Sequence, residues 1–325
     1  AQLQAAQGPG SALESCITTQ YPVAEHIGDV TSLNCEFYTD IAFAGINNFP
    51  SITFLNVYNV NSDPVTGQDN ETDFTPIAAL KNLDFLEAGE NYSFKNADLL
   101  SFVDHPALRF LFVFNHGFDN DAWLTFSGSL ASSLIEFNIS QSPYAMCLVQ
   151  YPDGGLPGDH EACINQLDTT LLTNSNSLES LHISGKQIVA VSDFFLMPAL
   201  KRLHIFNASG TQIDDLLNFE VDPETGELVH RSPSNSLQSF SGSLTTLNLQ
   251  GAGENLTDTD AAKISLAFPD LTELFLPETD IQDLWVLSGL SLININIGGT
   301  KVSDISALYL DGILAVEGYL GIWNL

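Results

Sequence analysis

Two histidines stand at equivalent places in the sequence, and imidazoles are side chains that can share a metal ion or a proton. His182 and His204 each follow the second leucine of a short apolar phrase, one beginning at Leu178 and the other at Leu200. If each phrase is a strand, the alternation of side chains turns both rings to the same face of adjacent strands. No third ligand accompanies them, so we predict no metal site. The two rings either share a ligand or form an incidental polar column.

Aromatic side chains hold the corresponding outward positions earlier in the chain. Neighbouring strands lie about 4.8 Å apart, so Phe54, Phe85 and Phe110 are predicted to stack as a column. A contiguous aromatic patch marks a contact with a partner, a ligand or another subunit. The alternatives are a register shifted by one residue, or a cover formed by the N-terminal segment and nearby loops. The predicted partner-binding residues are Phe54, Tyr58, Phe85, Phe110, Phe112, Phe114, His182 and His204.

Other polar motifs are weaker indications of a binding or catalytic site. Asn138, Asn248 and Asn296 continue the histidine column, and their amides could bond one another or a sugar. The acidic pairs of 119–121 and 258–260 alternate oxygen ligands as calcium loops do, without the glycine and closing glutamate of an EF-hand. Calcium is therefore the one ion that these residues suggest, and we predict no other cofactor. No nucleophile with a base and an orienting acid can be assembled, so we predict a protein that is not an enzyme.

A repeated phrase of the form Leu-x-x-Leu-x-Leu must position these side chains. Its clearest copies begin at Leu271 and Leu292, 21 residues apart. The apolar residues two apart have strand periodicity, and strands that recur at this spacing pair in parallel with their copies. The sequence predicts an α/β solenoid with a parallel β-sheet on one face and short helical, 3-10 or irregular segments on the other. Further copies begin at Val30, Ile52, Leu83, Leu108, Leu134, Leu178, Leu200, Leu244 and, in degraded form, Ile313.

The phrase extends into a longer consensus with a recognisable family likeness. It continues as x-x-Thr-x-Ile-x-Asp-Leu/Ile, in which Asp283 and Asp304 are suited to cap short outer segments. This pattern resembles the leucine-rich repeats of bacterial surface and secreted proteins of the internalin kind, with Thr279 and Thr300 where that family usually has Asn. The resemblance implies a leucine-rich-repeat solenoid at a cell surface or outside the cell.

The spacing of the repeats outlines the organisation of the chain. Residues 1–29 are predicted to form an N-terminal arm and cap, and 30–325 one solenoid. The distance between phrases widens from about 21 to about 44 residues at two places, which predicts insertions at about 141–177 and 214–240. The second insertion has a proline-then-glycine turn between Val221 and Val229 and is predicted to be a hairpin.

Four cysteines form two local pairs without the Cys-x-x-Cys spacing of a zinc or redox site. We predict disulfides between Cys16 and Cys35, joining the cap to the first coil, and between Cys147 and Cys163, closing an insertion. Disulfides persist in oxidising compartments, which favours an extracellular or cell-surface location. Buried free thiols in a cytosolic protein are the alternative. The chain starts at Ala1, which looks like the end of a mature, exported protein.

Charge narrows the class of partner. The 40 acidic residues against 9 basic ones give a net charge of −31, which repels nucleic acid and anionic lipid head groups. No apolar run has the roughly 18 residues of a membrane span. We expect a recognition or adhesion protein that binds a protein or glycan partner through its sheet face. The alternative is a structural subunit that assembles with copies of itself end to end, with Trp323 and Leu325 at the contact.

Overall fold

The computed structural model describes residues 12–23, 25–35, 43–57, 73–89, 94–129, 133–141, 166–169, 172, 175–185, 188, 194, 197–221, 228–231, 237–239, 244–252 and 256–322. The chain divides into two compact units, Ala1–Leu167 and Asp168–Leu325. Within the described part, a strand stands at each of the eleven predicted phrases.

The first unit contains five parallel strands, each paired with the next along the chain. Short helices and 3-10 segments connect them. Its described elements are α1 (Ala12–Gln20), η1 (Ile27–Asp29), β1 (Ser32–Asn34), η2 (Ile46–Asn48), β2 (Phe54–Asn56), η3 (Thr75–Ala79), β3 (Phe85–Ala88), α2 (Asn96–Ser101), β4 (Phe110–His116), α3 (Asn120–Ser129) and β5 (Glu136–Gln141).

The second unit contains six parallel strands in the order β6-β7-β11-β12-β13-β14. Three further strands form a separate antiparallel sheet. The described elements are β6 (Ser180–Ser184), β7 (Arg202–Phe206), α4 (Gly210–Leu216), β8 (Phe219–Val221), β9 (Leu228–Arg231), β10 (Leu237–Ser239), β11 (Thr246–Asn248), α5 (Asp258–Ala267), β12 (Glu273–Phe275), η4 (Leu284–Leu287), β13 (Leu292–Asn296), α6 (Ser306–Leu310) and β14 (Leu314–Gly321).

Aliphatic ladders hold each set of coils together. Except in the last strand, where a register shift brings Leu320 opposite Ile295, the second apolar residue of each phrase lies opposite its copy in the next strand of its unit, as Leu33, Leu55 and Leu86 do. These three side chains are fully buried, and burying a leucine contributes roughly 2 kcal/mol. A one-residue slip would turn the whole ladder to solvent, so the apolar pattern fixes the register of the strands.

A second core feature of the first unit lies outside the repeated phrase. Four buried phenylalanines contact one another in sequence along the coils, with ring centroids 5.5, 5.3 and 6.5 Å apart. They form a spine parallel to the sheet, and each pair adds stabilisation beyond its burial. Its members are Phe43, Phe74, Phe94 and Phe118.

Short polar contacts shape the turns of the last coils. Thr279 and Thr300 are buried, and each hydroxyl donates to the carbonyl three residues before it, at 2.9 and 2.8 Å. The two hydroxyls thereby donate to turn carbonyls, and the Ile297 carbonyl also accepts from the Thr300 N–H at 3.3 Å. Asp283 accepts a hydrogen bond from the Trp285 amide at 2.9 Å, and Asp304 accepts one from the Ser306 amide at 2.8 Å, as predicted for capping residues.

Side chains of the N-terminal cap cover the outer edge of β1. The Gln20 amide accepts from the Asn34 N–H at 2.9 Å and donates to its carbonyl, and the Tyr21 hydroxyl makes the same two contacts with Ser32 at 3.0 and 2.6 Å. These side chains bond as a neighbouring strand would. Cys16 and Cys35 form the disulfide that the sequence analysis selects. Cys147 and Cys163 lie outside the described residues.

The hairpin predicted at 221–229 is present. β8 and β9 pair antiparallel, with Val221 opposite Leu228, and β10 pairs with the other side of β9. This insertion follows α4 and precedes β11, so it interrupts the coils without interrupting the pairing of β7 with β11. None of the helices in the described part of the chain is long and apolar enough to cross a membrane.

Candidate functional site on the sheet face

The predicted aromatic column exists on the sheet face of the first unit. Phe54 lies opposite Phe85, and Phe85 opposite Phe110, in three successive strands. The Phe54 and Phe85 rings stack with centroids 4.5 Å apart and planes 14° apart, and Phe110 follows at 6.1 Å. Inward leucines at alternate positions hold these strands in register, which places the three rings side by side.

Two more aromatic residues extend this surface along β4. Phe112 lies 5.1 Å from Phe85 between ring centroids, and Phe114 follows two residues later on the same side of the strand. All five rings are partly exposed, and four of them contact one another. We call Phe54, Phe85, Phe110, Phe112 and Phe114 the aromatic face. Tyr58, predicted to join it, lies outside the described residues.

A charged pair borders the aromatic face. Arg109 donates two hydrogen bonds to Asp84, at 2.5 and 2.6 Å, and its guanidinium carbon lies 5.6 Å from the centroid of the Phe110 ring. The bond and the charge of Asp84 raise the pKa of Arg109. The chain has only 9 basic residues, and one of them, Arg109, lies beside the rings.

A polar column runs beside the rings. Asn34, Asn56, Glu87 and Phe112 lie opposite one another in β1 to β4, and Asn138 follows in β5. The buried Oδ1 atom of Asn56 has no hydrogen-bond partner among the described residues. The sheet face of the first unit therefore combines apolar rings with amide and carboxylate groups.

The two predicted histidines stack on the sheet face of the second unit. His182 lies opposite His204, with centroids 3.9 Å apart and planes 6° apart. Ser180 is hydrogen-bonded to Nε2 of His182 at 3.1 Å, but this serine is fully buried. Its hydroxyl is therefore out of reach of a substrate, and the pair does not make an exposed nucleophile. Within the described residues, no three His, Cys, Asp or Glu side chains could hold a metal ion together.

The amide column suggested by the sequence is interrupted. The histidine column continues through Asn248, Phe275 and Asn296, so a ring separates the two amides. Asn248 accepts from the Gln250 amide at 2.9 Å and Asn296 from the Gly298 amide at 3.0 Å. These amides shape their own turns and do not form a ladder. The prediction of an amide column considered the asparagines alone and left out Phe275, which lies between them in the strand register.

Three of the carboxylates that resemble calcium ligands accept hydrogen bonds within the chain. Asp119 accepts from the Ala122 amide and from the Asn96 side chain, at 3.0 and 2.7 Å. Asp258 accepts from two backbone amides of the next coil, and Asp260 from the Thr257 amide at 3.0 Å. These carboxylates cap helices or join coils, which accounts for their spacing.

Sequence reasoning also missed a polar network on the second unit. Glu273 accepts from the Thr246 hydroxyl at 2.9 Å and from the Asn294 amide at 2.5 Å, so it joins three successive strands. All three occupy outward positions of the phrase, and the same register would have identified them. Phe206, whose ring lies 6.4 Å from His204, is outward for the same reason.

The residues predicted for assembly, Trp323 and Leu325, lie outside the described residues. At the N-terminal end, Gln20 and Tyr21 already bond to the edge of β1. A strand from another copy would have to displace both side chains in order to pair there.

Comparison with known proteins identifies the fold. No protein-family model and no curated protein matches the chain. Among solved structures, an internalin (inlF) from Listeria monocytogenes is similar at 16% identity and a TM-score of 0.54, over 100% of this chain and 78% of that one. The likeness shows an internalin-like leucine-rich-repeat fold, which confirms the predicted fold class.

Two weaker structural matches accompany it. The functional domain of InlJ from Listeria monocytogenes has 15% identity and a TM-score of 0.43, over 99% of this chain and 61% of that one. A chain of the yeast Rad7 and Elc1 complex has 13% identity and a TM-score of 0.45, over 97% and 87% of the two chains.

Proposed function

We propose that this chain is a recognition protein that binds a protein partner through the aromatic face of its first unit. The observation that carries the proposal is the stack of Phe54, Phe85 and Phe110, beside Phe112 and the Arg109 pair. These rings fill no core, since the leucines that alternate with them do so. Partly exposed aromatic rings clustered beside an arginine are typical of residues that dominate binding energy.

The packing of the rings favours protein over glycan as the partner. Phe85 has ring neighbours in both adjacent strands, and one of its faces is stacked on the Phe54 ring. A sugar binds best on an open ring face, whereas apolar side chains can insert between ring edges. The flanking amides and carboxylates would then provide polar contacts around the apolar centre.

An extracellular or cell-surface setting is part of the proposal. The Cys16–Cys35 disulfide supports it, because such bonds persist outside reducing compartments. The role is one of binding, without catalysis. Assembly end to end remains a second prediction, and the covered edge of β1 does not favour it.

Paired substitutions test the binding role. Phe85→Ser with Phe110→Ser is expected to weaken binding by roughly 2–4 kcal/mol, because the partner loses its central apolar contact. The measurement is biolayer interferometry against the extracellular protein that the wild-type chain selects from a display library. Leu100→Ser is the matched control, because Leu100 is exposed on α2 away from the strands.

Circular dichroism separates folding from binding in this test. The double variant should keep the wild-type spectrum and a similar melting temperature. Unfolding of the double variant would show that the rings belong to the core. Equal affinity of the wild type and the double variant would place the binding site elsewhere.

A further inference from the structure

Exposed apolar side chains concentrate at one end of the second unit. Of the nine large hydrophobic side chains that are exposed among the described residues, seven lie between 266 and 322. Four of the seven lie on the outer segments opposite the sheet: Leu266, Trp285, Tyr309 and Leu310, with 71%, 46%, 63% and 76% of their surfaces exposed. We call these four residues the outer patch.

Three successive outer segments carry the outer patch. Leu266 lies in the last turn of α5, Trp285 is the second residue of η4, and Tyr309 and Leu310 end α6. The segments pack side by side, and the Ser265 hydroxyl donates to the Val286 carbonyl at 3.0 Å, which joins α5 to η4 next to Leu266 and Trp285. The patch residues therefore belong to neighbouring coils of one surface.

The core does not require these side chains. Leu284, Leu287 and Leu308 fill the inward positions of the same segments and are buried to 1% exposure or less. Outer positions of a surface helix are ordinarily polar. Trp285 and Tyr309 therefore expose aromatic rings at positions where a polar residue would fold equally well, which marks a contact surface.

The charged residues around the outer patch are mostly acidic. Residues 256–322 contain ten acidic and two basic residues. Both lysines already have carboxylate partners, Lys263 with Asp260 at 3.6 Å and Lys301 with Asp280 at 2.7 Å. The exposed carboxylates next to the patch in the chain are Asp283, two residues before Trp285, and Asp311, directly after Leu310.

We propose that the outer patch is a second docking surface, which binds a basic amphipathic polypeptide segment. Apolar residues of that segment would cover Trp285 and its neighbours, and its Lys or Arg side chains would pair with Asp283 and Asp311. Charge complementarity selects this occupant. A second copy of this chain carries the same charge of −31, and an anionic membrane would also be repelled. The outer patch shares no residue with the aromatic face, so separate substitutions can test the two surfaces.

A designed peptide tests the proposal on the full chain. The probe is a fluorescein-labelled helix of roughly 18 residues with a leucine face and a lysine face, and its binding is followed by anisotropy at about 0.15 M salt. Trp285→Ser with Leu266→Ser should weaken binding about 10-fold or more, through loss of the apolar contact. Asp283→Asn with Asp311→Asn should weaken it roughly 3-fold to 10-fold and reduce its salt dependence. The sheet-face variant with Phe85→Ser and Phe110→Ser is the matched control and should bind as the wild type does.

Several outcomes would overturn the proposal. The wild type could fail to bind the probe, or the Trp285 and Leu266 variant could bind as tightly as the wild type. Equal binding of a matched peptide with serine in place of leucine would show a general attraction to a polyanion. A dimer in light scattering that the Trp285 and Leu266 variant abolishes would identify a second copy as the occupant. If the control variant loses only its binding to the partner of the aromatic face, this proposal still holds. The two proposed functions can therefore be disproved independently.

Discussion

Two buried titratable residues of the first unit respond to pH in opposite directions. Burial raises the pKa of Asp98 to about 6, although the Lys95 and Phe74 amides both donate to its carboxylate at 2.9 Å. Burial also lowers the pKa of His105, whose Nε2 lies 3.1 Å from the Leu80 carbonyl. The histidine contributes stability that is present above its ordinary pKa and is lost as the pH falls below it. The aspartate contributes stability at low pH that is lost as the pH rises from about 4 to about 6.

We expect Asp98→Asn to remove the contribution of Asp98 to this pH dependence. The wild type loses up to about 3 kcal/mol between pH 4 and 7 as Asp98 ionises in a buried site, and the amide does not ionise. The unfolding free energy of the variant minus that of the wild type should therefore rise by this amount over the same range. Urea titrations at several pH values measure it. A difference that stays constant with pH for Asp98→Asn would contradict the raised pKa.

At the scale of single residues, the register of the apolar phrase predicted most of the sheet face. It placed the stacked phenylalanines and the stacked histidines, because strand side chains alternate strictly. It could not show how far Phe85 is covered by its neighbours, since that depends on ring orientation. It also gave no sign of Asp98 or His105, which lie between phrases where the spacing varies.

At the scale of elements, the strands were predictable and the segments between them were not. Each strand has a repeated apolar signature, whereas the outer segments range from the 3-10 turn Leu284–Leu287 to the helix Asp258–Ala267. The spine of Phe43, Phe74, Phe94 and Phe118 lies in these irregular parts. The phrase therefore specified the sheet, while tertiary packing decided the rest of each coil.

The contacts of Gln20 and Tyr21 with the edge of β1 make a contribution to the free energy of unfolding that can be measured directly. Gln20→Ala removes the two bonds to the Asn34 backbone and should lower the unfolding free energy by about 1–2 kcal/mol, measured in urea with the disulfide intact. The Asn34 amide should also exchange its hydrogen faster. Thr18→Ala is the matched control, because this exposed threonine of α1 bonds only within its helix. A Gln20→Ala variant as stable as the wild type, with unchanged exchange, would show that these bonds contribute nothing.

At the scale of the whole molecule, composition determines the net charge and the number of cysteines that can pair. A net charge of −31 on 325 residues repels polyanions, so the prediction that nucleic acid is not a partner follows from the sequence alone. The sequence did not show that the exposed apolar side chains gather on the outer segments of the last coils, because helices this short have little periodicity. The partner of each surface depends on chemistry outside this chain.

Disulfide pairing tests the predicted extracellular setting. Peptide mapping without reduction should recover Cys16 linked to Cys35 and Cys147 linked to Cys163, because each pair closes a short local loop. The sample should be the protein secreted into medium, alkylated at harvest. Free thiols at these positions, or a link between Cys35 and Cys147, would contradict the prediction of two local disulfides.

The cover on β1 also limits how this protein can change length over evolutionary time. Gln20 and Tyr21 occupy the place that a preceding strand would take, so a duplicated repeat cannot be added before the first one without loss of the cap. Between β12 and β13 no such obstacle exists, because each strand presents the same parallel edge to its neighbour. A 21-residue copy that begins at Leu271 would insert there and find matching edges on both sides. Lineages of this protein should therefore differ in the number of interior repeats while they retain the same first coil.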